Sequence, residues 1–572
     1  MTFSQVDRLD LEAIPPVRAA RWFQSTTCDS LLIFWLAVAT FTASLVPEFI
    51  GFQTRFAFFA QEMLRHGPSF FPTTYGTPYP DYPAASTCLI CLASLPFGRV
   101  TPFTTVLPTA VVSALILVVT YRIGAIHSRR WGLAAVLFSL FTFEFFSMSR
   151  SIPLDQYTSL ATMLSFYLVY SSDCLARQGR FALLPFVWGL GFAFRGPIGL
   201  VIPAAVSCGC SLWNGHFRRT LLLGIVAAGT LALCVGGLLL AARTQAGEPF
   251  ARRVLDEQVV GRLDDRGPGW TYYWHRSLTA LAISYPLAII VLGSRFREIL
   301  RRRAETDRLL GGLAFCAVIV LVGMAIPAVK KTRYLLPIVP ALSLVGSYVM
   351  VNAALETQLF RARRILLGIC THLPIVSVIA VGGFLLFALY RRPDWTVFSP
   401  VVLCLLIPLV FVARKLDRGW SGVPNRDMFL LAVGLVIFGI LDVGIAEPVS
   451  YSFEETRSFV RQIETLYAKE PGTIVFWQVG PDAEDIKFMA NWSEPIEPQF
   501  VTSLDVLREM RGTRYVIAKE ETFRTLLPNE GWSLRVLARG TIGHRACAVF
   551  NLGESRERNS RAISHTATSV RR

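Results

Sequence analysis

The stretch Thr220-Leu-Leu-Leu-Gly-Ile-Val-Ala-Ala-Gly-Thr-Leu-Ala-Leu-Cys-Val-Gly-Gly-Leu-Leu-Leu-Ala241 contains no charged residue. As a helix it is roughly 33 Å long, enough to cross the hydrocarbon core of a bilayer. Its neighbours repeat the pattern. Thirteen apolar segments of spanning character are predicted near 29–46, 104–121, 131–148, 155–171, 181–194, 196–213, 220–241, 276–293, 309–327, 335–353, 365–389, 396–413 and 428–446. The stretch 85–98 is shorter and ends at Pro96 and Gly98, which suits a helix lying on or re-entering the membrane. The composition agrees: of 572 residues, 53% are hydrophobic and only 17% charged, with a mean hydropathy of +0.47. A soluble chain carries about 25% charged residues. The expectation is a polytopic α-helical membrane protein, and a disordered, collagen-like or disulfide-scaffold chain is excluded.

The net charge of +16 must be located before it is interpreted. With the N-terminus (1–28) inside and an uncleaved first span, the inner connections carry a net +12, the expected excess of Lys and Arg in cytoplasmic loops. The outer loops carry a further +6, and residues 447–572 hold 17 basic and 17 acidic residues. Nucleic acid is therefore not an expected partner. After the membrane region (29–446), residues 447–552 lack a spanning run. Short β-rich segments there alternate with helical ones, which predicts a small α/β domain, placed in the periplasm by the odd number of spans. From 553 to 572 the Ser/Arg/Thr-rich composition predicts a disordered tail.

Ten of the eleven cysteines lie outside that domain, mostly in apolar segments, and Cys88-Leu-Ile-Cys91 has no second pair or nearby His, so neither a disulfide framework nor a zinc site is expected. Asp264-Asp265 reads as a solvated turn, and no metal or other cofactor is predicted. Glu144 and Asp442 fall inside predicted spans, where ionisable groups are costly and point to function. Glu144 lies about one and a half turns before Arg150.

Two outer loops are long, 47–103 and 242–275, and both are rich in Tyr and Trp. The short outer turns hold cations at helix ends: Arg150 before Asp155, Arg195-Gly196-Pro197, and Lys330-Lys331-Thr332-Arg333-Tyr334. Snorkelling to headgroups explains any one of them. Their convergence points to an anionic ligand, most simply a lipid-linked phosphate.

These residues resemble the bacterial membrane glycosyltransferases of the type-C fold, in particular the lipid A aminoarabinose transferase and related protein O-mannosyltransferase-like proteins. The likeness rests on Arg55-Phe56-Ala57, on Arg150 with Asp155, on Arg195 through Pro203, and on Lys330 through Pro337, similar to the family's Lys-x-x-(His/Arg)-Tyr-Leu-Leu-Pro. Glu257 to Arg262 and Gly267 to Tyr273 resemble its second large loop. The resemblance implies transfer of a sugar from a polyprenyl-phosphate carrier to a lipid, glycan or protein acceptor at the outer face of a bacterial inner membrane. It assigns Arg55, Arg195, Lys330, Arg333, Tyr334, Arg150 and Arg262 to the donor phosphate and Asp155 to catalysis. One departure stands out: the acidic pair that precedes the matching Arg in the family is Phe52-Gln53 here, so Glu48 or Asp81 is expected to replace it. A transporter or flippase of lipid-linked saccharide, or a silent relative that binds the carrier lipid, is the alternative reading. A transporter favours repeated bundles with a midplane site, whereas the cations here gather at one face.

Overall fold

The computed structural model describes residues 16–553 apart from 45–48, 50–52, 82, 176–177, 261–268, 270, 303, 328–329, 352–356, 418–425, 454–455, 481–483, 494–495, 511–513 and 527–532. Glu48, Phe52, Arg262, Asp264, Asp265 and nearly all of the predicted tail therefore lie outside the described residues. Each of the thirteen apolar segments is mainly helical. Among the described residues seven helices are long and apolar enough to cross a membrane, and two bent pairs raise the number to nine. Shorter apolar helices include Ala85–Phe97 and Pro197–Trp213.

Two predicted straight spans are broken. Helices Arg129–Phe141 and Phe143–Ser149 meet at 78°, and Tyr272–Ala280 and Ser284–Ser294 meet at 109°. The breaks share one set of hydroxyls. Thr142 Oγ1 lies 2.8 Å from Ser284 Oγ, which lies 3.0 Å from Ser343 Oγ and donates to the carbonyl of Phe138 at 3.2 Å. All three residues are buried. Breaking a helix inside a bilayer frees backbone groups that must find partners, and Ser and Thr side chains supply them. The first bend sets the short helix bearing Glu144 at an angle to the bundle.

At the end of the bundle where the chain enters, Asp29 is held by Arg129 (Nε–Oδ2 2.7 Å, Nη2–Oδ1 2.8 Å) and by the hydroxyl of Tyr121 at 2.5 Å. This fork-to-carboxylate pairing ties the first helix, Pro16–Thr42, to Pro102–Ala125 and its successor.

The C-terminal region contains a five-stranded sheet. A two-residue hairpin in the first long loop supplies β1 (Thr73–Thr74) and β2 (Thr77–Pro78); the sheet comprises β3 (Thr473–Trp477), β4 (Gln499–Val501), β5 (Arg514–Lys519), β6 (Ser533–Ile542) and β7 (Arg545–Gly553), in the order β4-β3-β5-β7-β6. β3 runs parallel to both neighbours, whereas β5, β7 and β6 are antiparallel. One face of the sheet shares an apolar core with the first long loop. Phe56, Phe58 and Phe59 of helix Gln53–His66 pack in a cluster with Phe476, Phe488 and Ile517. The Tyr75 hydroxyl donates to the buried Asp485 carboxylate at 2.8 Å. Ile152 and Leu154 belong to the same cluster. The segment leading into Asp155 is thus anchored in apolar packing that the C-terminal sheet helps to build.

Candidate active site

Asp155 opens helix Asp155–Cys174, and Arg195 closes helix Leu184–Arg195. Each charge suits the helix end it occupies, an acid at the N-terminus and a base at the C-terminus. Side-chain packing fixes the two ends together. Tyr157 stacks on Phe194 with ring centroids 4.2 Å apart and 18° between planes. One turn further in, a Cβ on Gly191 would lie 2.1 Å from the carbonyl oxygen of Gly199, so only glycine lets helices Leu184–Arg195 and Pro197–Trp213 approach this closely.

The result is a buried cluster. Arg195, 5% exposed, donates from Nε to Asp155 Oδ1 at 3.2 Å. Arg333 approaches the other carboxylate oxygen, with Nε 3.4 Å from Oδ2. Asp155 itself is only 6% exposed. The ring of Tyr334 lies under both guanidinium groups, 5.4 Å from Arg195 Cζ and 5.9 Å from Arg333 Cζ. Arg333 and Tyr334 sit on the 3-10 segment Thr332–Ile338, with half-buried Lys330 just before it. Glu144 reaches the same segment, where Thr332 Oγ1 donates to its Oε1 at 2.9 Å. Its charge interacts with Arg333 and Asp155. Two carboxylates thus flank a basic group drawn from two distant parts of the chain.

A guanidinium pair meeting one carboxylate retains further N–H donors. They can donate to a phosphate oxygen, and the carboxylate can take a proton from a hydroxyl brought beside it. Ion pairing alone would brace the helices, but it does not explain two arginines on one buried acid with Lys330 adjoining.

The remaining predicted residues fall into three groups. Asp81 is carried to this corner: Gln258 donates its side-chain amide to the Asp81 carbonyl, and its other end faces Gly196. Arg55 donates to the Tyr79 hydroxyl at 2.8 Å and lies over its ring, so it holds the loop two residues before Asp81. Arg150 lies apart from the cluster. The resemblance assigns it to the donor phosphate. Instead it points to the last membrane helices, with Nη2 2.8 Å from Glu447 Oε2, Nε 3.5 Å from Asp442 Oδ2, and Nη1 donating to the Thr40 carbonyl at 2.9 Å. Two carboxylates in a low-dielectric setting outcompete one that is already shared by two arginines. Glu48 and Arg262 lie outside the described residues.

Sequence reasoning missed Gln258, whose neutral side chain carries no charge signal, and Glu447, which lies 297 residues from Arg150.

Two substitutions test this geometry. Gly196 has φ 65° and ψ −152°, a region essentially restricted to glycine, and a Cβ there would lie 2.8 Å from Gln258 Oε1. Gly196→Ala is expected to cost about 1–3 kcal/mol of local strain and to lower any activity of the site through displaced Arg195, measured as a reduced turnover of correctly folded protein. Arg150→Met is expected to destabilise the chain by roughly 1–3 kcal/mol by leaving the half-buried Asp442 and Glu447 carboxylates without their shared cation, visible as a lower thermal midpoint. Activity per folded molecule should stay near wild type, because Arg150 does not touch the cluster.

Residues 83–239 match the dolichyl-phosphate-mannose-protein mannosyltransferase family. The chain is 24% identical over 477 residues to the undecaprenyl phosphate-alpha-4-amino-4-deoxy-L-arabinose arabinosyl transferase of Serratia proteamaculans (strain 568), covering 75% of this chain and 83% of that protein. It is 25% identical over 440 residues to the corresponding transferase 1 of Sodalis glossinidius (strain morsitans), covering 72% and 74%. Its fold is similar to the crystal structure of ArnT from Cupriavidus metallidurans bound to undecaprenyl phosphate, with a TM-score of 0.67 at 14% identity over 93% of this chain and 98% of that one. The apo form of the same protein gives a TM-score of 0.65. The fold is the polytopic type-C glycosyltransferase fold.

Proposed function

We propose that this membrane chain of type-C glycosyltransferase fold moves a sugar from a polyprenyl-phosphate carrier to an acceptor hydroxyl at the extracytoplasmic face of a bacterial inner membrane. One observation carries the reading: the buried Asp155 carboxylate lies between Arg195 and Arg333. The likeness to arabinosyl transferases that use undecaprenyl phosphate supports the carrier class. The positive excess of the opposite loops supports the sidedness.

In this reading the bond from the anomeric carbon to the carrier phosphate breaks as the acceptor oxygen attacks. Charge grows on the leaving phosphate, and Arg195 and Arg333 stabilise it where it develops, with Lys330 and Tyr334 adjoining. Asp155 takes the proton of the acceptor hydroxyl and holds the two guanidinium groups in register. Asp81 is the second acid of the site, carried on the loop that Arg55 and Gln258 brace. Glu144 positions Arg333 through Thr332. Residues 29–446 form the transferase unit and 447–552 the periplasmic unit that supports its first loop.

The reaction is tested by reconstituting the full chain in liposomes with a panel of polyprenyl-phosphate sugars and extracted bacterial envelope acceptors. Transfer of label from at least one donor is expected. Binding of every carrier without transfer would contradict the enzyme reading.

A further inference from the structure

The Asp155 cluster includes a second carboxylate whose hydrogen-bonding capacity is only half used. Glu144 lies in a membrane segment, where an ionisable side chain is costly unless it faces a cavity or a partner. The 78° bend after Phe141 brings its short helix, Phe143–Ser149, against the 3-10 segment Thr332–Ile338. Buried Phe145 and Phe146 anchor this helix, with the Phe146 ring centroid 6.1 Å from that of Phe41 and 5.0 Å from that of Phe438. Thr332 donates to Glu144 Oε1 at 2.9 Å and fixes the carboxylate near Arg333. The other oxygen, Oε2, meets no hydrogen-bond donor and no cation at ion-pair distance among the described residues, and it is not sealed inside the packing. An anchored carboxylate with one open oxygen is a preorganised acceptor.

The open oxygen selects its ligand by chemistry. An ionised carboxylate only accepts hydrogen bonds, so its partner must carry a donor, and a phosphate is disfavoured by like charge. Arg333 already faces the negative charge, so a neutral donor suffices and a further cation is not needed. When Arg195 and Arg333 hold the carrier phosphate, the group bonded directly to that phosphate is the sugar. The acceptor hydroxyl belongs beside Asp155, the other carboxylate. We propose that Glu144 Oε2 accepts a hydrogen bond from a hydroxyl of the donor sugar, which makes Glu144 a sugar-recognition residue as well as a support for Arg333. The assignment rests on the reading of Arg195 and Arg333 as ligands of the carrier phosphate. It requires the transferred sugar to keep a free hydroxyl within reach of that phosphate.

Carrier binding to the full chain in nanodiscs tests it, with undecaprenyl phosphate as the sugar-free probe and undecaprenyl phosphates bearing a panel of pentoses and hexoses as competitors. Wild type should prefer at least one sugar-bearing carrier. Glu144→Gln keeps the side-chain shape and an acceptor for Thr332 but loses the charge. It should cut that preference about tenfold, with undecaprenyl phosphate itself bound as well as before or more tightly. One monodeoxy analogue of the preferred sugar should lose the same factor on wild type and little more on Glu144→Gln, which identifies the hydroxyl. No preference in wild type, a preference that survives Glu144→Gln, or deoxy losses as large in the variant as in wild type would overturn the proposal. So would an equal loss for sugar-bearing and sugar-free carriers, which would leave Glu144 as a support for Arg333 alone. A wild type that binds neither carrier would overturn the phosphate reading and this one together. Failure of the transferase reading has a different signature: the Glu144-dependent preference is present and no sugar is transferred.

Discussion

Asp155→Asn is expected to lower sugar transfer by roughly 10²- to 10⁴-fold while carrier phosphate binds as well as before, or more tightly. The asparagine keeps the shape of the side chain and removes its charge and its proton-accepting capacity. In the wild type the carboxylate meets Arg195 at 3.2 Å and Arg333 at 3.4 Å, so it offsets part of the positive charge that a phosphate on their remaining donors would meet. Removing that negative charge strengthens the attraction of both guanidinium groups for the phosphate, while the step that needs a base is lost. The split between turnover and binding is the signature. Loss of carrier binding together with turnover would instead give Asp155 a structural role, the carboxylate being needed to hold the two arginines in place. Initial rates and equilibrium carrier binding, measured on the same proteoliposome preparation, distinguish these outcomes.

Arg195→Lys is expected to cost about 10²- to 10³-fold in transfer and to weaken carrier binding as well. Charge is conserved, but the fork is not. The guanidinium of Arg195 donates to Asp155 through Nε, leaving its terminal nitrogens for a second anion, and its plane lies near the Tyr334 ring. A lysine ammonium is a point charge that cannot hold a carboxylate and a phosphate in one fixed geometry. It would choose one or alternate between them. Retained turnover in Arg195→Lys would mean that the site needs only positive charge there, and the bidentate role would fall.

Much of the site was legible because its residues are marked locally. Asp155, Arg195 and Arg333 stand at the ends of apolar runs, and their resemblance to a family pattern joined them. The spans were legible for a related reason: mean hydropathy is a property of neighbouring residues. What escaped is non-local. The bends after Phe141 and before Ser284 depend on three hydroxyls, those of Thr142, Ser284 and Ser343, which no window of sequence brings together. Arg150 looked like a site residue for the same reason as Arg195, yet its partners Asp442 and Glu447 lie on the last membrane helices. Charge at a helix end announces that a partner exists; packing decides which one. Gln258 shows the converse. It joins the two long loops through the Asp81 carbonyl, and a neutral amide gives no warning of such a role.

The pair of arginines on Asp155 is expected to hold the carrier phosphate. An electron cryo-microscopy structure of the full chain in nanodiscs with undecaprenyl phosphate tests it most directly. The phosphate oxygens should lie within about 3.2 Å of guanidinium nitrogens of both Arg195 and Arg333, with the Asp155 carboxylate beside them. A phosphate seated elsewhere, with Asp155 still bridged by both arginines, would contradict the account.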